Sequence, residues 1–398
     1  MKKKILIMMN NMRIGGVEKA LLNILTVIDK DKFDITILFI RKDGEYLKEI
    51  PSWVKIEEIE ISDLDRNILD FGPKVILLET LKKYKYASTA KVALLALKRK
   101  VTLNILKNID EFKVLFKFLP KYKGKYDLAI DFHQTYVTTY YISEKVSADY
   151  KIAWLHSSDF GENLRNLSQY YSKFNRVFGV SKACVDKYNK LFPEHSGKCK
   201  TFYNIILTDD IKRMAEQGEG FGDSLDGIRI LTVGRLSYAK GYDVAISVAA
   251  KLKEDGFKFK WYVIGDGIER TKLEKLIDQY EVRDCFILLG SLKNPYPYIN
   301  QCDIYVQPSR FEGYCIALAE ARILNKPIIA TNFFGAEEQI INGETGLIIN
   351  FNEDNIYEAI KKLIINPLLR LKFEENLSRE TINSSLNEMK KLYALVND

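Results

Sequence analysis

Two glutamates eight positions apart, Glu312 and Glu320, stand in the stretch Pro308-Ser309-Arg310-Phe311-Glu312-Gly313-Tyr314-Cys315-Ile316-Ala317-Leu318-Ala319-Glu320. A strand-like run, Asp303–Val306, precedes it, and helical apolar spacing follows the glycine. With a helix beginning near Tyr314, Glu312 lies at its open N-terminal end. Glu320 then lies about two turns in, roughly 10–12 Å away at about 1.5 Å per residue. That span suits a molecule the length of a nucleotide-sugar, its phosphates at the helix start where free N–H groups attract anions. It equally fits an ordinary strand–helix unit with one capping and one solvated glutamate. Arg235 and Lys240 lie five apart in a glycine-flanked loop directly after another strand-like run. Arginine grips phosphate oxygens in a fork and lysine acts as a point charge, so the pair can neutralise a departing diphosphate. No aspartate cluster is needed to hold a metal for that purpose. A basic surface loop would read the same way.

The elements that must position these residues alternate β and α from the start. Lys4–Met9 reads as a strand, Asn10–Gly16 as a turn ending in Gly15-Gly16, and Glu18–Asp29 as a helix. The double glycine lets backbone approach a phosphate, although the full G-x-G-x-x-G is absent. Strands follow at Asp34–Ile40, Val54–Ile59, Asp127–Phe132, Lys151–Leu155, Arg176–Val180 and Cys199–Tyr203. Two of them are followed directly by histidine, His133 and His156. Ligands of open α/β sheets bind at strand carboxyl ends, which makes His156 a candidate site residue, though a histidine there also serves structure alone. The polar stretch Thr208–Gly227, with Gly218, Gly220 and Gly222, reads as a linker. A second αβ series begins at Ile228. The expected class is therefore α/β, two doubly wound domains facing across a cleft. Residues 1–206 form the first domain, 207–227 the linker, 228–378 the second, and 379–398 a helix packing back toward the first.

Composition bounds the rest. Over 398 residues, 47% hydrophobic and 28% charged side chains are globular values. No apolar run approaches the roughly 18–20 residues needed to span a bilayer. The opening Met1–Asn10 has too short an apolar part for a signal peptide and reads as the first strand. Five scattered cysteines (184, 199, 285, 302, 315) point to reduced thiols in a cytoplasmic protein, against a zinc site or a disulfide frame. Three histidines (133, 156, 195) make a His-rich metal site an unlikely expectation. The net charge of +7 is uneven, with 14 Lys or Arg against 3 acids between Lys74 and Lys125. Apolar stretches there (Val92–Leu97, Val101–Leu106, Val114–Leu119) are separated by lysines. They fit either solvated cationic faces over core helices or docking on an anionic membrane surface. No nucleic-acid recognition motif accompanies the charge. Asp63-Leu64-Asp65 mimics a metal-binding D-x-D but stands in an acidic loop without partner motifs, and reads as a solvated turn.

Taken together and in order, these motifs resemble glycosyltransferase family 4 (glycosyl transferases group 1) on the GT-B fold of two Rossmann-like domains. The resemblance rests on Gly15-Gly16-Val17-Glu18, Gly179-Val180-Ser181-Lys182, Val233-Gly234-Arg235-Leu236 with Lys240-Gly241, Ile264-Gly265-Asp266-Gly267, the Glu312…Glu320 pair and Asn342-Gly343-Glu344-Thr345-Gly346-Leu347. Asn294-Pro295-Tyr296-Pro297-Tyr298 resembles a subgroup that builds bacterial surface polysaccharides. The resemblance implies a retaining, metal-independent enzyme with no cofactor, moving a hexose or N-acetylhexosamine from a UDP-sugar to a lipid-linked saccharide. It implies a cytoplasmic protein held at the inner face of the membrane through 74–125. Glu312, His156, Lys240 and Arg235 would be catalytic. Gly16, Arg235, Lys240, Gly265, Leu292, Glu312, Gly313, Tyr314, Cys315, Ile316, Ala317 and Glu320 would hold the donor, Glu320 on the ribose and Leu292 on the base. His133 and Gly15 would face the acceptor. Cys315 departs from the small residue or glycine often found at its position. A nucleotide-sugar epimerase and a non-catalytic nucleotide-sugar binder are the alternatives. An epimerase needs no acceptor, and a binder would be indifferent to loss of Lys240.

Overall fold

The computed structural model describes residues 2–61, 119–157, 162–380 and 385–397. Asp63-Leu64-Asp65 and all but 119–125 of the basic segment 74–125 lie outside the described residues.

Aliphatic runs such as Ile5-Leu6-Ile7-Met8-Met9 are buried at every position, which is what parallel strands covered by helices on both faces require. The first sheet has strands β1 (Lys3–Met9), β2 (Phe33–Phe39), β3 (Lys55–Glu58), β4 (Lys125–Asp131), β5 (Ser147–Leu155), β6 (Arg176–Gly179) and β7 (Cys199–Thr201). Their order is β3-β2-β1-β4-β5-β6-β7, every pairing parallel. The second sheet has β8 (Ile228–Val233), β9 (Phe259–Ile264), β10 (Phe286–Gly290), β11 (Ile304–Gln307), β12 (Ile328–Thr331) and β13 (Gly346–Ile349). Its order is β10-β9-β8-β11-β12-β13, again all parallel. Chain direction across the sheet reverses between β1 and β4 in the first and between β8 and β11 in the second. Loops part on either side of such a point and leave a crevice at the strand carboxyl ends.

Each sheet is flanked by two apolar cores, one per face. The helix Met389–Asn397 contributes Met389, Leu392 and Val396 to a core of the first sheet, and Tyr393 stacks on Phe33 at 5.5 Å. It is shorter than the expected 379–398, with a 3-10 turn over Ser385–Glu388 before it.

The expected linker 207–227 is corrected in its first part. Thr208–Ala215 forms a helix whose Ile211 and Ala215 are buried against the second sheet's core. Ile211, Met214 and Ala215 share one helical face at i, i+3, i+4 spacing, a stripe too short to stand out beside the glycines that follow.

Candidate active site in the interdomain cleft

Four loops at the two reversal points face one another and enclose a cavity of about 370 Å³. From the first domain come the Gly15-Gly16 turn after β1 and His133 after β4, joined by His156 after β5. From the second come Arg235 and Lys240 after β8 and the segment Glu312–Ala317 after β11. Gly265 follows β9, Leu292 follows β10, and Glu320 projects from the helix Ile316–Ile323. Every residue that the resemblance assigns to the site thus lines the same cavity. One expectation is corrected: the helix starts at Ile316, so Glu320 lies about one turn in rather than two.

Two helix N-termini open into the cavity, Gly16–Val27 capped by Gly15 and Ile316–Ile323 capped by Cys315, neither with a side-chain cap. Apart from the Glu18 amide, which engages its own carboxylate, and the Leu318 amide, which donates to the Cys315 carbonyl, their first-turn N–H groups are available to an anion. Cys315 adopts φ +61°, ψ 79°, a left-handed conformation that costs a side chain about 1–2 kcal/mol relative to glycine. That conformation explains why glycine suits the position. At Gly313 a Cβ would collide with the carbonyl oxygen of His156, so the two domains touch there backbone to backbone.

Lys240 is held by the loop that precedes the helix Tyr242–Glu254. Gly241 turns that corner at φ +70°, where a Cβ would strike the carbonyl of Pro308. Gly241→Ala is therefore expected to destabilise the protein by about 2 kcal/mol or more, lowering Tm in a thermal melt. It should also weaken nucleotide binding, because Lys240 moves with the corner. The Lys240 ammonium lies 2.5 Å from Glu312 Oε1, which also accepts from Ser309 Oγ (2.7 Å) and Gln307 Nε2 (3.2 Å). Burial works against the lysine's charge, but the Glu312 carboxylate outweighs it and holds the ammonium above its ordinary pKa. Sequence reading missed Gln307 and Ser309. Both are buried at the end of β11, and nothing in a strand-like run marks a glutamine as a scaffold for a distant lysine.

Lys19, also missed, reaches across the cleft from the first helix to pair with Glu320 and with the Tyr296 hydroxyl. Glu320 is only 3% exposed and accepts from the Tyr296 hydroxyl as well (3.2 Å). A second contact spans the cleft. The Glu338 carboxylate accepts from the amides of Lys182 (3.0 Å) and Ala183 (3.1 Å) at the open end of the helix Lys182–Leu191, and from the Tyr203 hydroxyl (3.0 Å).

The two histidines of the cavity, His133 and His156, are neutral. Burial pushes His156 down to about 3, with help from His133, and pushes His133 down to about 4, with help from Arg235. A backbone hydrogen bond at Phe132 engages the His156 ring, while its Nε2 has no partner among the described residues. Phe132 packs on the ring at 4.6 Å, and Gln134 Oε1 accepts the His156 amide at 2.8 Å. His133 Nδ1 and Glu18 Oε2 are likewise buried without a partner. Buried polar atoms of this kind are ready to bind a ligand that brings its own hydroxyls or oxygens. Among the described residues, no three His, Cys, Asp or Glu side chains gather as metal ligands.

Comparison with known proteins agrees with this geometry. Residues 217–380 match the family described as "Glycosyl transferases group 1". The chain is 28% identical over 206 residues to an N-acetylgalactosamine-N,N'-diacetylbacillosaminyl-diphospho-undecaprenol 4-alpha-N-acetylgalactosaminyltransferase of Campylobacter jejuni, covering 51% of this chain and 54% of that protein. It is 30% identical over 151 residues to the capsular polysaccharide biosynthesis glycosyltransferase CapM of Staphylococcus aureus, covering 36% and 39%. The chain thus spans about half the length, or less, of these curated relatives. Among solved structures, Anabaena Alr3699/HepE in complex with UDP and glucose superposes with a TM-score of 0.68 at 17% identity, over the full length of both chains. S. aureus TarM, in complex with Fondaparinux, alpha-GlcNAc-glycerol and UDP, gives 0.67 at 14%, also over both full lengths. At those identities the likeness is one of fold, and it extends over both domains. Over residues 217–380, most of its second domain, this chain is thus similar to glycosyl transferases group 1, and both domains together have the GT-B fold of these solved structures.

Proposed function

We propose that the protein is a retaining, metal-independent glycosyltransferase that moves a hexose or N-acetylhexosamine from a UDP-sugar to a lipid-linked saccharide during bacterial capsule, exopolysaccharide or related surface-glycan synthesis. The observation that carries this reading is the convergence of Arg235, Lys240, two open helix N-termini and Glu320 on one cavity between two doubly wound sheets. Such a set suits a diphosphate with a ribose on one side and a sugar on the other. The Campylobacter and Staphylococcus relatives support the acceptor class and the surface-glycan setting, and the UDP in the HepE and TarM complexes supports the donor.

In the reaction, the bond from the sugar's anomeric carbon to the diphosphate breaks with its electron pair leaving on phosphate. Positive charge develops on the sugar and negative charge on the diphosphate. Arg235 and Lys240 lower the barrier by meeting that negative charge with groups already in position. The acceptor oxygen bonds to the same face of the anomeric carbon, and its proton passes to the leaving phosphate oxygen. His156, neutral and with no partner for Nε2 among the described residues, lies where it can accept from a donor-sugar hydroxyl. Glu312 acts as a positioner. Its Oε1 already accepts from Lys240, Ser309 and Gln307, which makes it a poor nucleophile. Trapping a covalent sugar on Glu312 would overturn that assignment.

A panel of UDP- and GDP-sugars, with released nucleotide as readout, tests the function. Turnover should be selective for one UDP-sugar, rise with a lipid-linked saccharide and survive EDTA. Interconversion of free UDP-sugar without acceptor would instead favour an epimerase. The basic segment 74–125 would seat the first domain on anionic headgroups, each nearby Lys or Arg adding about 1 kcal/mol. Charge reversal of Lys98, Arg99 and Lys100 is expected to abolish sedimentation with anionic liposomes while sparing hydrolysis of a soluble donor. Sedimentation that survives the change removes the membrane from this account.

A further inference from the structure

Among the described residues, the cavity's charges balance before any ligand enters. Lys240 is matched by Glu312 and Lys19 by Glu320. Arg235 and Glu18 remain, and they flank the Gly15 turn so closely that a side chain at that glycine would collide with both. Both histidines are neutral, and Asp266 at the rim lies 3.4 Å from Arg270. A nucleotide diphosphate ester brings about two further negative charges into this partly desolvated space. Such a load is disfavoured unless a carboxylate gives up its own charge.

The geometry identifies which one. Glu312 and Glu320 each hold an ammonium group. Glu18 is 1% exposed, lines the cavity, and its Oε2 has no hydrogen-bond partner among the described residues. It stands in the first turn of the helix whose N-terminus faces the proposed phosphate position. We propose that Glu18 takes up a proton as the nucleotide diphosphate enters and donates that O–H to a diphosphate oxygen, serving beside Arg235 as a neutral hydrogen-bond donor. The proton comes from solvent and returns to it when the nucleotide leaves, and no bond of the substrate changes in this step.

The surroundings agree. Burial already raises the Glu18 pKa, while its own backbone amide and the Arg235 guanidinium hold it back. A diphosphate that engages Arg235 cancels that second restraint. The other titratable groups nearby are His133 after β4, Lys19 on the same helix, and Tyr46 and Glu45 in the turn Glu45–Glu49 after β2. Burial raises the Tyr46 pKa to about 12, with the carboxylates of Glu320 and Glu18 adding to the effect, so Tyr46 stays neutral. None of these supplies a cation to Glu18 Oε2.

This inference rests on the nucleotide-sugar reading, and one experiment separates the two. UDP is titrated calorimetrically into the full chain and into Glu18→Gln, in buffers of different ionisation enthalpy near neutral pH. The terminal phosphate of UDP exchanges protons equally in both proteins, so the difference isolates residue 18. The wild type is expected to take up close to one proton more than the variant, as linkage requires for a single group. Its UDP affinity should then fall relative to the variant's by up to about tenfold per pH unit above neutrality. UDP-glucose, whose phosphates do not titrate there, gives a second count from the wild type alone. Equal proton counts in the two proteins, or an affinity ratio that does not change with pH, would overturn the proposal while leaving nucleotide binding intact. A wild type that binds neither UDP nor UDP-glucose would overturn the parent reading as well.

Discussion

Replacing Lys240 with alanine is expected to lower kcat/KM for donor turnover by about 10²–10³-fold, the range typical of removing one preorganised charge from a transition state. The loss has two sources. The ammonium no longer meets the charge shed onto the diphosphate, and Glu312 is left as an uncompensated carboxylate beside it. A buried charge stripped of its partner is strongly unfavourable, commonly about 3–5 kcal/mol. The double variant Lys240→Ala/Glu312→Gln should therefore recover part of the activity lost by Lys240→Ala alone. Nucleotide release and UDP affinity, measured for the four proteins of the cycle, test this coupling. Additive effects would mean that the pair seen at 2.5 Å has no role in the reaction.

Glu320→Ala is expected to weaken UDP binding by about 10–100-fold, as the loss of one or two charge-assisted hydrogen bonds implies. The neighbouring Lys19 should respond in the opposite sense. In the unliganded protein Lys19 already holds the Glu320 carboxylate, together with Tyr296, so a ribose must compete with an ammonium for the same oxygens. Lys19→Met removes that competitor and is expected to tighten UDP binding severalfold. Isothermal titration of both variants decides the matter. If Lys19→Met weakens binding as Glu320→Ala does, Lys19 is part of the nucleotide site rather than its rival.

Much of this architecture was legible in the residues. The strands announce themselves as aliphatic runs ending in turn formers, and all seven strands of the first sheet coincide with expected ones to within a few positions. The residues chosen for the site were visible because each sits in a loop directly after such a run, where doubly wound sheets leave room for ligands. What stayed hidden depends on long-range packing. The partner of Glu320 lies 301 positions away, and no local pattern distinguishes Lys19 from any other lysine at the start of a helix. In the sequence Glu18 is visible only within the Gly15-Gly16-Val17-Glu18 motif, because a glutamate in a first helical turn is ordinarily a solvated complement to the dipole. In the fold it is buried, beside Arg235 of the opposite domain. The short helix Thr208–Ala215 was masked by three glycines beyond its end. Cys315 was noted as unusual, but its left-handed backbone emerged only with the structure.

The return of the helix Met389–Asn397 to the first sheet has a consequence for biosynthesis. Domains generally mature in the order in which they leave the ribosome. Here Met389, Leu392 and Val396 belong to the hydrophobic interior around Ile5, Ile35 and Phe33. The half translated first cannot seal that interior until the second half has emerged. A nascent chain halted after Arg379 would carry the second sheet with its covering helices and a first sheet still uncovered on one side, with apolar surface exposed where Tyr393 later covers Phe33.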